Sequence, residues 1–157
     1  MKQFCCTLLF FLATLTSYAQ NFADFFQDKT LRVDYIFTGD ANRQAIYLDE
    51  LSQLPSWAGR QHHLSELPLA GNGQIIVKDV ATGQCIYKTS FSSLFQEWLS
   101  TDEARTTAKG FENTFLLPFP KKTVEVEITL YSPRKDVMAN FKHIVSVSYT
   151  HLTLPTT

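Results

Sequence analysis

Between Gly71 and Leu99 the spacing of apolar residues changes from every second residue to every third or fourth, and this change limits what the chain can fold into. The stretch opens with turn residues and continues with the β-branched run Ile75–Val77, which favours extended backbone. A second turn at Ala81–Gly83 is followed by period-two alternation from Cys85 to Phe91. Two such runs joined by a short glycine-containing loop predict an antiparallel hairpin.

A helix is predicted directly after this hairpin, at about residues 92–100. Apolar residues there fall at the i, i+3, i+4, i+7 and i+8 positions of one helical face, which makes the segment amphipathic: Phe91, Leu94, Phe95, Trp98 and Leu99. Ser92 or Ser93 can accept a hydrogen bond from a free N–H at its start. We expect the helix to lie across a face or an end of a sheet, with Trp98 as its main anchor.

Strand patterns account for most of the remaining chain. The predicted strands are Leu31–Gly39, Ala45–Leu51, an apolar run Phe111–Phe119 ended by Pro118 and Pro120, Val124–Tyr131 and Val137–Val145. Val124–Tyr131 alternates most regularly, which predicts one buried and one solvated face. From the residues alone, the chain is predicted to be a mainly β domain with one amphipathic helix.

Composition and charge favour one soluble globular domain. The 157 residues carry a formal net charge of -1, and 45% of them are hydrophobic and 18% charged. Binding of nucleic acid needs a basic face, and binding to an anionic membrane needs a polybasic patch. The near-neutral charge therefore argues against both kinds of partner.

The first 19 residues are predicted to be a signal peptide. A basic start at Lys2 precedes an apolar run, Phe4–Leu15, that is too short to span a bilayer. Ser17 and Ala19 are small residues at the positions that signal peptidase reads, so we expect cleavage after Ala19. The alternative is an uncleaved anchor. Export to the periplasm, the cell surface or the medium is predicted, with no transmembrane span after cleavage.

Few residues in the chain are candidates for a nucleophile, a metal ligand or an acid–base group. After cleavage Cys85 is the only cysteine, and its place in a strand favours a buried apolar thiol over a nucleophile. His62, His63 and Glu66 are metal-ligand types, but their spacing lacks the i, i+4 pair of a helical zinc site, which favours a solvated loop. Similarly, the two glutamates of Val124–Tyr131 are interpreted as a solvated strand face. We predict no catalytic, cofactor-binding or metal-binding residue.

The last eleven residues, VSYTHLTLPTT, resemble the translation of a transposase sequencing adapter. On this interpretation the native sequence stops near Ser146. Residues 147–157 would then be a non-native tail without fixed structure, and they carry no functional argument.

Several long blocks of the chain resemble the N-terminal domain of the IgA peptidase family of zinc metallopeptidases. They are DKTLRVDYIFTGD (Asp28–Asp40), YLDELSQLPSWAGR (Tyr47–Arg60), LPLAGNGQIIVKD (Leu67–Asp79), YKTSFSSLFQEWLSTDEA (Tyr87–Ala104) and FENTFLLPFP (Phe111–Pro120). The resemblance covers roughly Phe22 to Val145. It implies an antiparallel β-sandwich-like module that precedes a separate catalytic domain, whose zinc ligands lie on an extended H-E-x-x-H helix. No position here matches that motif, so no metal or catalytic residue is carried over.

Three interpretations of the function follow. The first is that residues 20–146 form a non-catalytic accessory domain of an exported zinc metallopeptidase. Its partners would be its own C-terminal catalytic domain, which holds the zinc, and a protein substrate. The second is a stand-alone protein- or glycan-binding module with Trp57, Arg60 and Tyr131 as contacts, although Trp57 also fits a core or interdomain plug. A complete small enzyme is a third interpretation.

Overall fold

The computed structural model describes residues 20–147, and it contains seven strands in two antiparallel sheets. The predicted signal peptide and residues 148–157 of the predicted tail lie outside the described residues. Within the described part, no helix has the length and apolar character needed to cross a membrane. The predicted mainly β, sandwich-like fold with a short helix is confirmed.

The first sheet has three strands in the order β2-β1-β5. Its strands are β1 Phe26–Gly39, β2 Gln44–Leu54 and β5 Lys109–Pro120. Alternate residues of β1 point into the core and are almost completely buried: Leu31, Val33, Tyr35 and Phe37. The prediction from Leu31 to Gly39 is therefore confirmed, and the strand begins five residues earlier, at Phe26.

The second sheet has four strands in the order β4-β3-β6-β7. Its strands are β3 Gly73–Asp79, β4 Cys85–Phe91, β6 Val124–Tyr131 and β7 Val137–Val145. The predicted hairpin is the β3–β4 pair, and Gly83 in its turn has a φ of 71°, which glycine adopts without steric cost. The two sheets pack around one apolar core, and β2 contacts β7 across the sandwich.

The alternation predicted for β4 fails at one position. Ile86 and Tyr87 are neighbours in the sequence, yet both are buried. The cause is an irregularity in the β3–β4 register, where Val77 faces Tyr87 but the next residue, Lys78, faces Cys85. The extra residue shifts one side chain out of the period-two pattern.

The helix after the hairpin is shorter than predicted. Helix α2 spans Leu94–Trp98, and Ser93 caps it by accepting a hydrogen bond from the Gln96 N–H at 3.4 Å. The prediction that Trp98 anchors the helix is wrong, because Phe95 is the fully buried residue and Trp98 stacks on it only partly buried. Leu94 is 71% exposed. The predicted apolar face breaks up because Phe91 belongs to β4.

Two further details depart from the sequence prediction. A short helix, α1 Phe22–Phe25, precedes β1 and was not predicted. Strand β5 continues through Pro118 to Pro120, although we expected these prolines to end it. Because β5 pairs only with β1, it is an edge strand, where a proline without an N–H is tolerated.

Candidate functional site

A cleft of about 450 Å³ opens at the end of the sandwich where β1 ends. We call this region the open end. It comprises the turn between β1 and β2, the start of β3, helix α2 and the turn between β6 and β7. Its lining includes Gln44, Gly71, Asn72, Gln96, Leu99, Ser100, Ser132, Pro133 and Met138. Among the described residues that line the cleft, none is charged and none is aromatic. Its chemistry is therefore that of carboxamides, hydroxyls and aliphatic groups.

Two carboxamides meet in the cleft. The Gln96 side-chain Nε2 on α2 donates to Gln44 Oε1 at the start of β2, at 3.3 Å. Each amide has further hydrogen-bonding capacity. Within residues 20–147, Gln44 Nε2 and Gln96 Oε1 have no partner, so both N–H groups of Gln44 and the Gln96 acceptor are free.

The hydroxyls of the cleft are already used within their own turns. Ser100 Oγ donates to the Glu97 carbonyl at 2.6 Å. Ser132 Oγ donates to Asp136 Oδ2 and accepts from the N–H groups of Arg134 and Asp136, each at 3.1 Å. The available polar groups are therefore the two glutamine carboxamides and Asn72 Oδ1, which is buried without a hydrogen-bond partner among the described residues.

The turns around the cleft are fixed by local hydrogen bonds. Asp40 Oδ1 accepts from the N–H groups of Asn42 and Arg43 at 2.7 and 2.9 Å, and these bonds lower the pKa of Asp40. On the opposite side, Lys135 Nζ donates to the Gly71 carbonyl at 2.6 Å. The rim is thus held in place by groups that lie outside the lining itself.

The opposite end of the sandwich is filled by an aromatic cluster, and we call it the closed end: Asp28, Trp57, Gly59, Arg60 and Tyr87. Trp57 is 8% exposed, and its indole packs edge-on to the Tyr87 ring at 6.1 Å. The Trp57 backbone N–H donates to Asp28 Oδ1, and Nε1 donates to the Arg60 carbonyl. The indole is therefore a core plug with its polar atom satisfied.

Arg60 ties the closed end to strand β4. Its Nη2 donates to the carbonyls of Leu64 and Lys88 at 3.1 and 2.5 Å, and its guanidinium lies 5.2 Å from the centre of the Tyr87 ring. Such a cation over an aromatic ring is attractive. The guanidinium is therefore engaged within the domain.

The three contact residues predicted from the sequence do not form one site. Trp57 and Arg60 lie together at the closed end. Tyr131 lies at the other end of the sandwich, at the end of β6, where its N–H donates to the Asn72 carbonyl. Of the three, the partly buried Tyr131 is the one beside the cleft.

A pair formed by the buried Tyr35 and the partly buried His143 joins the two sheets between these ends. The Tyr35 hydroxyl on β1 lies 2.7 Å from His143 Nε2 on β7. Burial lowers the pKa of His143 to about 4, with the Ile144 backbone acting in the opposite direction. Burial also raises the pKa of Tyr35. Both rings are therefore neutral at neutral pH.

The other candidate groups have ordinary structural surroundings. Cys85 is half-buried and burial raises its pKa, so its thiol stays protonated and weakly nucleophilic. His63 Nδ1 lies 2.8 Å from Glu66 Oε2 on an exposed loop. Among the described residues, no three histidine, cysteine or acidic side chains lie close enough together to hold a metal.

The two glutamates of β6 share a cation, because Lys142 Nζ lies 3.8 Å from Glu125 Oε1 and 3.4 Å from Glu127 Oε2. Glu127 accepts from Lys78 Nζ at 2.8 Å and from Asn140 Nδ2 at 3.0 Å. Burial would raise the pKa of Glu127, but these hydrogen bonds outweigh it and the pKa is lowered. Glu127 therefore belongs to an ion-pair network on the sheet face.

The cleft was missed in the sequence because its polar groups are far apart in the chain. Gln44 and Gln96 are separated by 52 residues. Neither belongs to a motif, and glutamine is common on protein surfaces. The one local signal was the turn chemistry at Gly39–Asn42 and Ser132–Asp136, which predicted where the strands reverse but not that the turns enclose a space.

Comparison with known proteins identifies one family. The family model described as peptidase M64 N-terminus matches residues 21–142. The match covers most of the chain and confirms the resemblance drawn from the sequence blocks. No curated protein matches the chain.

Proposed function

The chain belongs to the peptidase M64 N-terminus family, and on this premise we propose that it is a non-catalytic accessory domain of an exported zinc metallopeptidase. The domain packs against the catalytic domain or helps to present a protein substrate to it. The zinc and its ligands belong to the catalytic domain. Export follows from the predicted signal peptide at residues 1–19.

The family match carries this proposal, and the chemistry of the described residues supports it. The thiol of Cys85 is protonated, and His143 is hydrogen-bonded to Tyr35 inside the sandwich. Hydrolysis of a peptide needs an activated nucleophile or a metal-bound water. Neither of these two residues is placed to supply one.

Sequencing of the source DNA across the codon for Ser146 tests the parentage. A frame that continues into an H-E-x-x-H-type zinc helix supports the proposal. A genuine stop codon there would contradict it and would favour a stand-alone binding module.

The role itself is tested by activity. The 157-residue chain with added zinc should not hydrolyse a fluorogenic peptide above the buffer rate, and hydrolysis would overturn the non-catalytic assignment. The peptidase recovered from the continued frame should cleave a protein substrate more slowly when residues 20–146 are deleted. An unchanged rate would remove the accessory role.

The stand-alone binding module is the second candidate, and the cleft at the open end favours it. Of the three contact residues predicted for such a module, two are occupied within the domain, because Trp57 is buried and Arg60 is hydrogen-bonded to β4.

A further inference from the structure

We propose that the cleft at the open end binds an extended, uncharged peptide segment with small side chains. This inference rests on the proposed accessory role, since it names the class of segment that such a domain would hold. It is carried by the free hydrogen-bonding groups of Gln44 and Gln96 and by the neutral lining around them.

The two carboxamides match a peptide group. A backbone peptide presents one N–H donor and one C=O acceptor. Gln96 Oε1 is free to accept from the first, and Gln44 Nε2 is free to donate to the second. Because the two side chains already hold each other at 3.3 Å, part of the conformational entropy of ordering them is lost before a ligand arrives.

The aliphatic lining limits the side chains of the ligand. Leu99, Pro133 and Met138 border the cleft beside the carboxamides. They offer contact to small apolar groups, and methionine adapts its shape to what it contacts. A volume of about 450 Å³ is sufficient for a few residues but not for several bulky side chains.

Charge excludes the other common ligands. A phosphate or a carboxylate needs cationic or convergent N–H partners, and none of the described lining side chains is charged. One nearby cation, Lys135, donates to the Gly71 carbonyl. A charged peptide side chain would lose its hydration in the cleft without gaining a partner. Sugars are less favoured than peptide, because none of the described residues lining the cleft offers an aromatic ring for a pyranose face to stack on.

The binding test uses the 157-residue chain and a doubly blocked hexapeptide, N-acetyl-Ala-Gly-Ala-Ser-Ala-Gly-amide. Titration followed by ¹⁵N NMR should shift the side-chain amide signals of Gln44 and Gln96 and the backbone signals of Gly71 and Ser100. Peptides of the same length with two lysines or two glutamates should bind at least about fivefold more weakly, because they bury an unpaired charge.

The variant Gln96→Ala should weaken binding of the hexapeptide about fivefold, the loss expected for one neutral hydrogen bond. Glu97→Ala is the matched control, because Glu97 is an exposed neighbour on the same helix and does not line the cleft. Gln44→Ala gives a second, independent variant on β2. Unchanged thermal unfolding of all three would show that the fold is intact.

Three results would overturn the proposal: no shift at the cleft signals, unchanged affinity in both glutamine variants, or binding of maltohexaose or triacetylchitotriose in preference to the hexapeptide. Peptide binding at the cleft without any effect of the domain on the rate of the peptidase would instead contradict the accessory role alone. The two failures are therefore distinguishable.

Discussion

The two ends of the sandwich differ in how their polar groups are paired and in how much space remains between them. At the closed end, Trp57 Nε1 and Arg60 Nη2 donate to backbone carbonyls, the Trp57 N–H donates to Asp28, and aromatic rings fill the space. Among the described residues, Arg60 Nε is the buried polar atom of this end that stays without a partner. At the open end, Gln44 and Gln96 bond chiefly to each other, and a cleft remains between the turns. A loop that satisfies its own polar groups stabilises the fold, whereas one that leaves them free can bind a ligand.

The close packing at the closed end is visible at Gly59. A Cβ atom added there would lie 2.3 Å from Cζ2 of Trp57, so the glycine is required by the approach of the indole. Close packing of this kind leaves no room for a ligand. The comparison therefore associates stability with the closed end and the proposed peptide recognition with the open end.

The largest effect is expected from Trp57→Ala. Removal of this buried indole should lower the free energy of unfolding by about 3–5 kcal/mol, the usual loss for a large aromatic residue in a core. Chemical denaturation measures it, with Leu94→Ala as the control, because Leu94 is a large apolar residue at the open end that is 71% exposed. Unchanged stability together with a loss of ligand binding would make Trp57 a surface contact and reverse the comparison.

A smaller effect, dependent on pH, is expected from the pair that joins the sheets between the two ends. The pKa of His143 is about 4 in the folded protein and about 6.5 in the unfolded chain. Between these values the unfolded chain binds more protons, so the free energy of unfolding should fall as the pH drops from 6.5 to 4. Because the ring is only partly buried, we expect His143 to contribute about 2 kcal/mol of this fall.

Comparison with His143→Gln isolates that contribution. Glutamine retains a hydrogen-bonding group for Tyr35 but does not titrate, so the variant should show a shallower loss of stability between pH 6.5 and 4. Equal slopes for the two proteins would show that the pair is not responsible.

The smallest effect is expected from Gln96→Ala. The partly buried side chain makes one long hydrogen bond, and alanine favours a helix. The free energy of unfolding should therefore change by less than about 0.5 kcal/mol. A loss above about 2 kcal/mol would show that the glutamine pair holds the open end together, and the contrast between the two ends would disappear.

The strands were predictable because their signal is local. Period-two alternation along Val124–Tyr131 and the turn at Ala81–Gly83 each lie within a few residues, and a strand or a turn needs no more than that to be recognised. The cap by Ser93 was predictable for the same reason. The family could also be predicted from the sequence, since the blocks that resemble it are continuous in the chain.

The helix anchor was missed for a different reason. The periodicity placed Phe95 and Trp98 on the same stripe, but it could not say which of them would face the core. Contacts with Phe37 and Phe111, from strands of the first sheet, bury Phe95. Such a choice between two apolar residues depends on what packs against the helix.

The sequence by itself determined where the chain extends, where it turns and which family it belongs to. The tertiary structure decided that Trp57 fills the closed end and that Tyr35 meets His143 across 108 positions. It also decided that Gln44 and Gln96 share a cleft. These contacts join residues far apart in the chain, and they exist only once the two sheets are stacked, because no local pattern encodes the distance between two sheets.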